Sequence, residues 1–389
     1  MSLFKKKSQG SNGSNSVKSG KKKIIFIILG IILLIFIGIL WKASNVLNKV
    51  STDGGIFSTI ARSLPGVDNT LKGEEEGRIN ILLLGMRGEN VEGGGLLADT
   101  IMVVSIKPEE KKVSMVSIPR DLYVTVPGEN YSQKINYVYF HGEERDKNGG
   151  GIEDMEKIIS EITGQEIHYA ITINFAGFEQ LVDAIGGVKV HLDESFTEPL
   201  QFHEEKVCDG DNGGVFTVPS GNYTDPKIND RGKVVPNSRY PLCYNQTEEC
   251  GGVFTLPAGD QVLDGEKALC YVRARVTSSD FDRARRQQEV LKQIKKTAFS
   301  VSTLTDFSKV NDVIDSLGNN TKTDLAGWEM NRLFEIYREM GDDISITNKV
   351  LENSEEGLLY SHEGDERGYI LMPRGDNYEQ IKTLFANII

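Results

Sequence analysis

The densest cationic stretch of this 389-residue chain is YVRARVTSSDFDRARRQQ, residues 271–288. Arg273 and Arg275 stand two apart, so on a strand they point to the same side. Arg283, Arg286 and Gln287 stand three and four apart, so on a helix they share a face. A strand–loop–helix joint would gather both sets at a helix N-terminus. Guanidinium forks, backbone amides and the positive helix end there suit a phosphate. The competing reading is a surface salt-bridge cluster with Asp280 and Asp282, the commoner fate of such runs. A second charged group interrupts the apolar stretch SMVSIPRDLYVTVPG, residues 114–128. Pro119 sets a turn, and Arg120 and Asp121 either cap that corner or form a site at a strand end. Asp99 and Asp121, both expected at strand ends, could hold a divalent cation. Arg120 would join the anion clamp, with Lys134 adding a point charge and Asn136 an amide. The five histidines, His141, His168, His191, His203 and His362, are scattered and form neither HExxH nor a nucleophile–base signature.

These residues need a rigid frame, and the apolar pattern supplies one. INILLLG (79–85), TIMVVSI (100–106) and KVSMVSI (112–118) are short, nearly continuous apolar runs, as in strands buried on both faces. KPEEKK between the last two is a hairpin signal. Residues 151–163 have helical spacing, HYAITINF is a strand, AGFEQLVDAIGG a helix closed by Gly186 and Gly187, and VKVHL another strand. EKALCYVRARV gives a short helix start and then a strand, and a long helix begins near Asp282. Helical patterns recur near 307–317 and 327–340, and the end reads as the strand YILMP and a last helix. Alternating helix and strand signals give an α/β class, a mixed central sheet with helices on both faces.

The N-terminus is of another kind. Residues 1–23 carry seven lysines and no acid, and Ile24–Trp41 is an 18-residue run without charge. Such a run crosses roughly 27 Å as a helix, close to a bilayer core. The lysines place the basic tail (1–23) in the cytoplasm and the rest of the chain outside. A cleaved signal peptide is disfavoured, since Ala43–Ser44 is the only weak cleavage candidate. Residues 42–77 read as a juxtamembrane linker and 78–389 as the extracytoplasmic domain. Beyond residue 41 stand 37 basic against 56 acidic side chains, a net charge of −19. A body so acidic is a poor nucleic-acid binder, and any anion it holds needs a local cationic pocket. GGVFTVPSG (213–221) returns as GGVFTLPAG (251–259), which marks two similar hairpin edges around an insertion at about 203–260. An exported chain permits disulfides among Cys208, Cys243, Cys250 and Cys270. Cys243 and Cys250 bracket a short loop and are the preferred pair. Cys270, in an expected apolar strand, is the one expected to be unpaired. No CxxC spacing supports zinc.

The blocks DTIMVVSI, KKVSMVSIPRDLYV, KIN, DGEKALCYVRAR and SDFDRARRQQEVL, in this order and behind a membrane anchor, resemble the LytR–CpsA–Psr family of cell-envelope enzymes. The resemblance covers roughly residues 78–295. It implies transfer of a glycopolymer from a polyprenyl-pyrophosphate carrier to a peptidoglycan hydroxyl, with Mg²⁺ or a similar ion and no other cofactor. By the same likeness Asp99 is a metal ligand, with Asp121 beside it. Arg120, Arg273, Arg275, Arg283, Arg286 and Gln287 face the pyrophosphate. The family's Gly-x-Asp after the first strand is replaced by Gly85-Met86-Arg87, and its arginine before Ser-Asp-Thr by Leu97-Ala98. Arg87 is then the candidate for the lost cation, and Glu89 or Glu92 for the lost acid. Two other classes remain open: a polyprenyl-pyrophosphate hydrolase, and a non-catalytic receptor for lipid-linked glycans.

Overall fold

The computed structural model describes residues 69–89, 95–198, 253–274, 277–298, 318, 320–341, 343–362 and 368–389, and within 199–252 the strands alone, without their side chains. The chain runs β1 (Ile79–Met86), β2 (Thr100–Lys107), β3 (Lys112–Ser117), the small hairpin β4 (Tyr123–Thr125) and β5 (Ser132–Lys134), α1 (Asn136–Arg145) and α2 (Gly150–Thr163). β6 (Tyr169–Asn174), α3 (Phe175–Ala184), β7 (Val188–Leu192) and β8 (Phe196–Glu198) follow. The insertion contains β9 (Glu205–Asp209), β10 (Val215–Pro219), β11 (Pro226–Ile228), β12 (Val234–Arg239) and β13 (Tyr244–Asn245). After it come β14 (Phe254–Leu256), β15 (Gly259–Leu263), α4 (Gly265–Arg273) and α5 (Asp280–Ala298). β16 (Thr321–Thr323), α6 (Gly327–Met340), β17 (Ser345–Val350), β18 (Leu359–His362), β19 (Ile370–Pro373) and α7 (Glu379–Asn387) complete the described chain.

Six strands form the central sheet in the order β16-β6-β1-β2-β3-β17. β1 is parallel to β6 and antiparallel to β2, and β17 is parallel to β3, so the sheet is mixed. β1 is apolar on both sides for a physical reason. Leu82, Leu84 and Met86 enter a cluster with Val138 and Tyr139 of α1, Met155 and Ile159 of α2 and Phe385 of α7. Ile79, Ile81 and Leu83 point the other way, toward Ile336, Met340 and Trp328 of α6. Helices therefore cover both faces, as the sequence pattern requires. Each such buried Leu or Ile contributes about 1.5–3 kcal/mol.

The strand register decides where a site can form. Gly85 pairs with Thr100, Met86 with Asn174, Met102 with Ser117, Ser117 with Val350, and Ile173 with Thr321. The carboxyl ends of β1, β3, β6 and β17 thus share one edge of the sheet with the starts of β2 and β16. Ligands of open α/β sheets collect at such an edge.

Several expectations change. Residues 266–273 are helical throughout, not a helix start and a strand. The Asp264 side chain caps α4 by accepting the Lys267 N–H at 2.9 Å, and Ala268, Leu269 and Val272 fill a second core with Val290 and Ile294 of α5. That packing outweighs the alternation of Val and Arg. Cys270 sits on this helix and is disulfide-bonded, so it is not the unpaired thiol. The Cys243–Cys250 pairing lies outside the described residues, as do the helical pattern at 307–317 and the apolar run 24–41. Among the described residues no helix is long and apolar enough to cross a membrane. The end of the expected linker is folded: Leu71 is buried, and Glu74 pairs with Arg332 of α6 at 2.6 Å. α1 and β17 were not foreseen. The two copies of the repeat form β10, paired with β9, and β14, paired with β8.

α2 also carries an acid in an unfavourable place. Burial, reinforced by the charge of Asp324, pushes the Glu156 carboxyl up to about 8, and its Oε1 has no hydrogen-bond partner. The folded state therefore holds this proton more tightly than the unfolded chain, whose glutamate titrates near 4.5. Stability should fall as pH rises from about 4.5 to 8. Urea denaturation across that range should show the slope, and Glu156→Gln should flatten it. An unchanged slope in the variant would assign the effect elsewhere.

Candidate functional site

The interruption in the apolar stretch is a turn and also a site. The Ile118 N–H donates to Ile101 O, and the Leu122 N–H closes on Pro119 O at 3.1 Å. Arg120 and Asp121 occupy the two central positions of that turn. The Asn136 peptide fastens the neighbourhood. Its N–H donates to Arg120 O, and its carbonyl accepts the Ala98 N–H. The loop before β2 is thereby held against the turn after β3, which places Asp99 beside Arg120.

Three carboxylates surround the Arg120 guanidinium. Its Nη1 donates to Asp99 Oδ1 at 2.6 Å, and its Nε lies 3.3 Å from Asp280 Oδ2 and 3.7 Å from Asp121 Oδ2. Burial alone would lower the Arg120 pKa; Asp99, Asp280 and Asp121 outweigh that and raise it. Asp280 opens α5 and also accepts from Arg283 Nη2 at 3.1 Å. Asp121 accepts from Lys134 Nζ at 2.7 Å. Arg120, Arg283 and Lys134 are matched by Asp99, Asp121 and Asp280, three charges of each sign. The cleft between Asp99, Arg120, Arg283 and Gln287 has a volume of about 20 Å³, so its own ion pairs fill it.

A reciprocal cap fixes the start of α5. Ser279 Oγ accepts the Asp282 N–H, and the Asp282 carboxylate accepts from the Ser279 N–H and hydroxyl. The backbone bond from Ser279 is the main reason that the Asp282 pKa is lowered. Gln288, a residue that sequence reasoning passed over, ties the helix to the sheet. Its buried amide donates to Ser117 Oγ at 2.8 Å and to Lys349 O at 2.8 Å. Its signal was a second glutamine next to Gln287, on the face that meets β3.

The expected clamp is thus assembled in part. Asp99, Arg120, Arg283 and Gln287 line one cleft, with Asp121 and Lys134 directly behind. Arg273 ends α4 and lies over the Phe175 ring, 4.4 Å from its centroid, so the same-side argument for a strand does not apply. Arg275 and Glu92 are outside the described residues. Arg286 does not face the cleft. Its Nε donates to Tyr271 O at 2.9 Å, its Nη2 donates to Ala274 O and Ser278 Oγ, and the guanidinium lies over the rings of Phe196 and Tyr271. Arg286 therefore closes the α4–α5 joint. Arg87 follows β1 and does not line the cleft, and Glu89 pairs with Lys322 at 2.6 Å. Among the described residues no group of three His, Cys, Asp or Glu side chains is arranged to hold a metal ion. Asp99 in the cleft and Asp121 beside Arg120 are the donor type that Mg²⁺ takes, one or two carboxylates together with substrate phosphates.

Residues 47–369 match the LytR_cpsA_psr family model. The chain belongs to that family. Its relatives include the polyisoprenyl-teichoic acid–peptidoglycan teichoic acid transferase TagU of Bacillus mycoides, 28% identical over 341 residues, covering 86% of this chain and 87% of that one. TagU of Enterococcus faecalis is 26% identical over 355 residues, covering 88% and 90%. Among solved structures, TagT bound to LIIa-WTA superposes with a TM-score of 0.51 at 23% identity, over 80% of this chain and 91% of that one. TagV of B. subtilis gives 0.51 at 20% identity, over 79% and 95%. The mixed α/β fold is the family's fold.

Arg286→Ala should destabilise the protein by about 2–4 kcal/mol, because it strands two carbonyls and removes a stacked guanidinium. Arg286→Lys should recover little, since an ammonium cannot reproduce the planar fork. Urea denaturation reads both, and parental stability in the alanine variant would refute the joint-closing role.

Proposed function

We propose that this protein transfers a glycopolymer from a polyprenyl-pyrophosphate carrier to a peptidoglycan hydroxyl, forming a phosphodiester. The observation that carries this is the pair Arg120 and Arg283, held by the shared acid Asp280 at the N-terminus of α5. Two guanidinium groups converging on the positive end of a helix form an anion site. Family membership and the names of the relatives support the same reading.

The pyrophosphate takes the place of the acids on Arg120 and Arg283. The acceptor oxygen attacks the phosphorus that bears the glycan. A new P–O bond forms, the bond to the bridging oxygen breaks, and polyprenyl phosphate departs with the electron pair. The guanidinium groups stabilise the charge that develops on both phosphates. The acceptor proton passes to a carboxylate at the site, with Asp121 positioned for that role by Lys134. Asp99 and Asp121 would hold a Mg²⁺ ion, which supplies countercharge that the balanced cluster lacks. Residues 24–41 anchor the domain to the cell membrane, with residues 1–23 cytoplasmic and the catalytic body outside, near lipid-linked donor and wall acceptor.

Arg120→Ala and Arg283→Ala should each cost roughly 2–4 kcal/mol of transition-state stabilisation, about 30- to 1,000-fold in rate. Glycan transfer from a lipid-linked donor is the assay, with melting temperature as the folding control. Parental rates in two well-folded variants would reduce the pair to a corner. Asp99→Asn should weaken the response of activity to added Mg²⁺ more than it weakens lipid binding measured without metal; an unchanged Mg²⁺ titration removes Asp99 as a ligand. For topology, protease added to intact cells should digest the body, and its protection would reverse the assignment.

A further inference from the structure

A second cavity opens on the same edge of the sheet, over β1 and β6 instead of β2 and β3. Its volume is about 270 Å³, near the lower end of small-molecule sites. Thr172, Asn174, Asn320, Thr321, Lys322 and Glu89 line it. Strands lie about 4.8 Å apart, so a displacement of two strands sets the cavity roughly 10 Å from the Arg120 cleft. The register makes the two neighbours, because Gly85 of β1 pairs with Thr100, which lines the cleft, while Met86 lines the cavity.

The chemistry of the two differs. The cleft presents guanidinium groups. In the cavity Lys322 Nζ is already bound by Glu89 at 2.6 Å and Glu143 at 3.2 Å, so the local charge is one acid in excess. That balance repels a phosphate. The remaining groups are amides and hydroxyls. Asn174 donates to Asn320 at 3.0 Å, and Thr172 Oγ1 accepts the Lys322 N–H at 3.0 Å. Thr321 is 7% exposed, and its Oγ1 has no hydrogen-bond partner. A neutral ligand rich in hydroxyl and amide groups matches this lining.

The geometry points to this cavity as the subsite for the acceptor, a neutral amide-bearing sugar of the glycan strand whose hydroxyl is presented to the phosphorus in the neighbouring cleft. The assignment rests on the transfer reading above and names the side from which the hydroxyl arrives. Donor and acceptor then enter by separate openings on one sheet edge.

Leu96→Trp fills the cavity from its loop side, where Leu96 is half-buried, and Thr321→Phe fills it from the sheet. The tryptophan variant should raise the KM for soluble peptidoglycan acceptor about 3- to 10-fold. The phenylalanine variant should cut acceptor-dependent transfer more than about tenfold. Binding of lipid-linked donor measured without acceptor should stay within about twofold in both, with melting temperatures near the parent's. A parental acceptor KM in the folded tryptophan variant overturns the assignment, and so does a loss of donor affinity equal to the loss for acceptor. Calorimetric titration with a soluble peptidoglycan disaccharide separates this from the transfer reading. If the disaccharide binds the parent and not Thr321→Phe, the cavity stands even where transfer fails. Equal binding to both dismisses the cavity even where transfer succeeds.

Discussion

The Arg120 guanidinium joins three segments that are distant in sequence: the loop before β2, the turn after β3 and the first turn of α5. Two unit charges 4 Å apart interact by about 4 kcal/mol at an effective dielectric of 20, before the cost of desolvating them is subtracted. Desolvation opposes this, and the cluster answers it by matching each cation with an acid. The backbone supplies the complement. Asn136 holds the strands' ends together whatever the charges do, and Gln288 fixes the helix at its third turn to β3 and β17. The site is therefore an electrostatic centre inside a hydrogen-bonded frame.

A cluster with equal numbers of cations and anions behaves differently from a cationic bowl. It exerts little long-range field, in keeping with a body of strongly negative charge. In the proposed transfer, an anionic headgroup would exchange with carboxylates already on the guanidinium groups. Affinity is then a difference between two sets of pairs, and a weakly matched anion gains little from it. In the transfer proposed above, the displaced acids would stay nearby, facing phosphate oxygens, and would be the ligands of a divalent ion between the two.

The fold was legible where one physical rule acted alone. β1, β2 and β3 announce themselves by unbroken apolar runs because both faces are covered. α6 has the bounds that the spacing gave, 327–340. The site was legible in composition more than in geometry. Asp99, Arg120, Arg283 and Gln287 meet as expected, and the salt bridge of Arg283 to Asp280, first weighed as the alternative, coexists with that meeting. Arg286 was misplaced because a helical face says which side chains are neighbours, not whether carbonyls of the preceding joint claim one of them. Residues 266–273 were misread because alternation of Val with Arg imitates a strand, while the cap at Asp264 and the packing of Leu269 decide otherwise. β17 could not be seen: SITNKV is polar because it is an edge strand, and its partner is set by tertiary pairing.

That edge strand has a consequence for how the molecule comes into being. β17 pairs with β3 across about 230 residues of chain. Val350 lines the cleft, and Lys349 O receives the Gln288 amide. Closing so long a loop gives nothing back until its last strand docks. A chain elongating from its N-terminus can pair β1, β2 and β3 early, yet it has no finished cleft until residue 350 has been made. The large insertion at 203–260 lengthens that loop at little thermodynamic cost, since closure entropy grows only with the logarithm of length. Its main effect is on time: it delays the moment at which the partly built sheet loses its open edge beside β3.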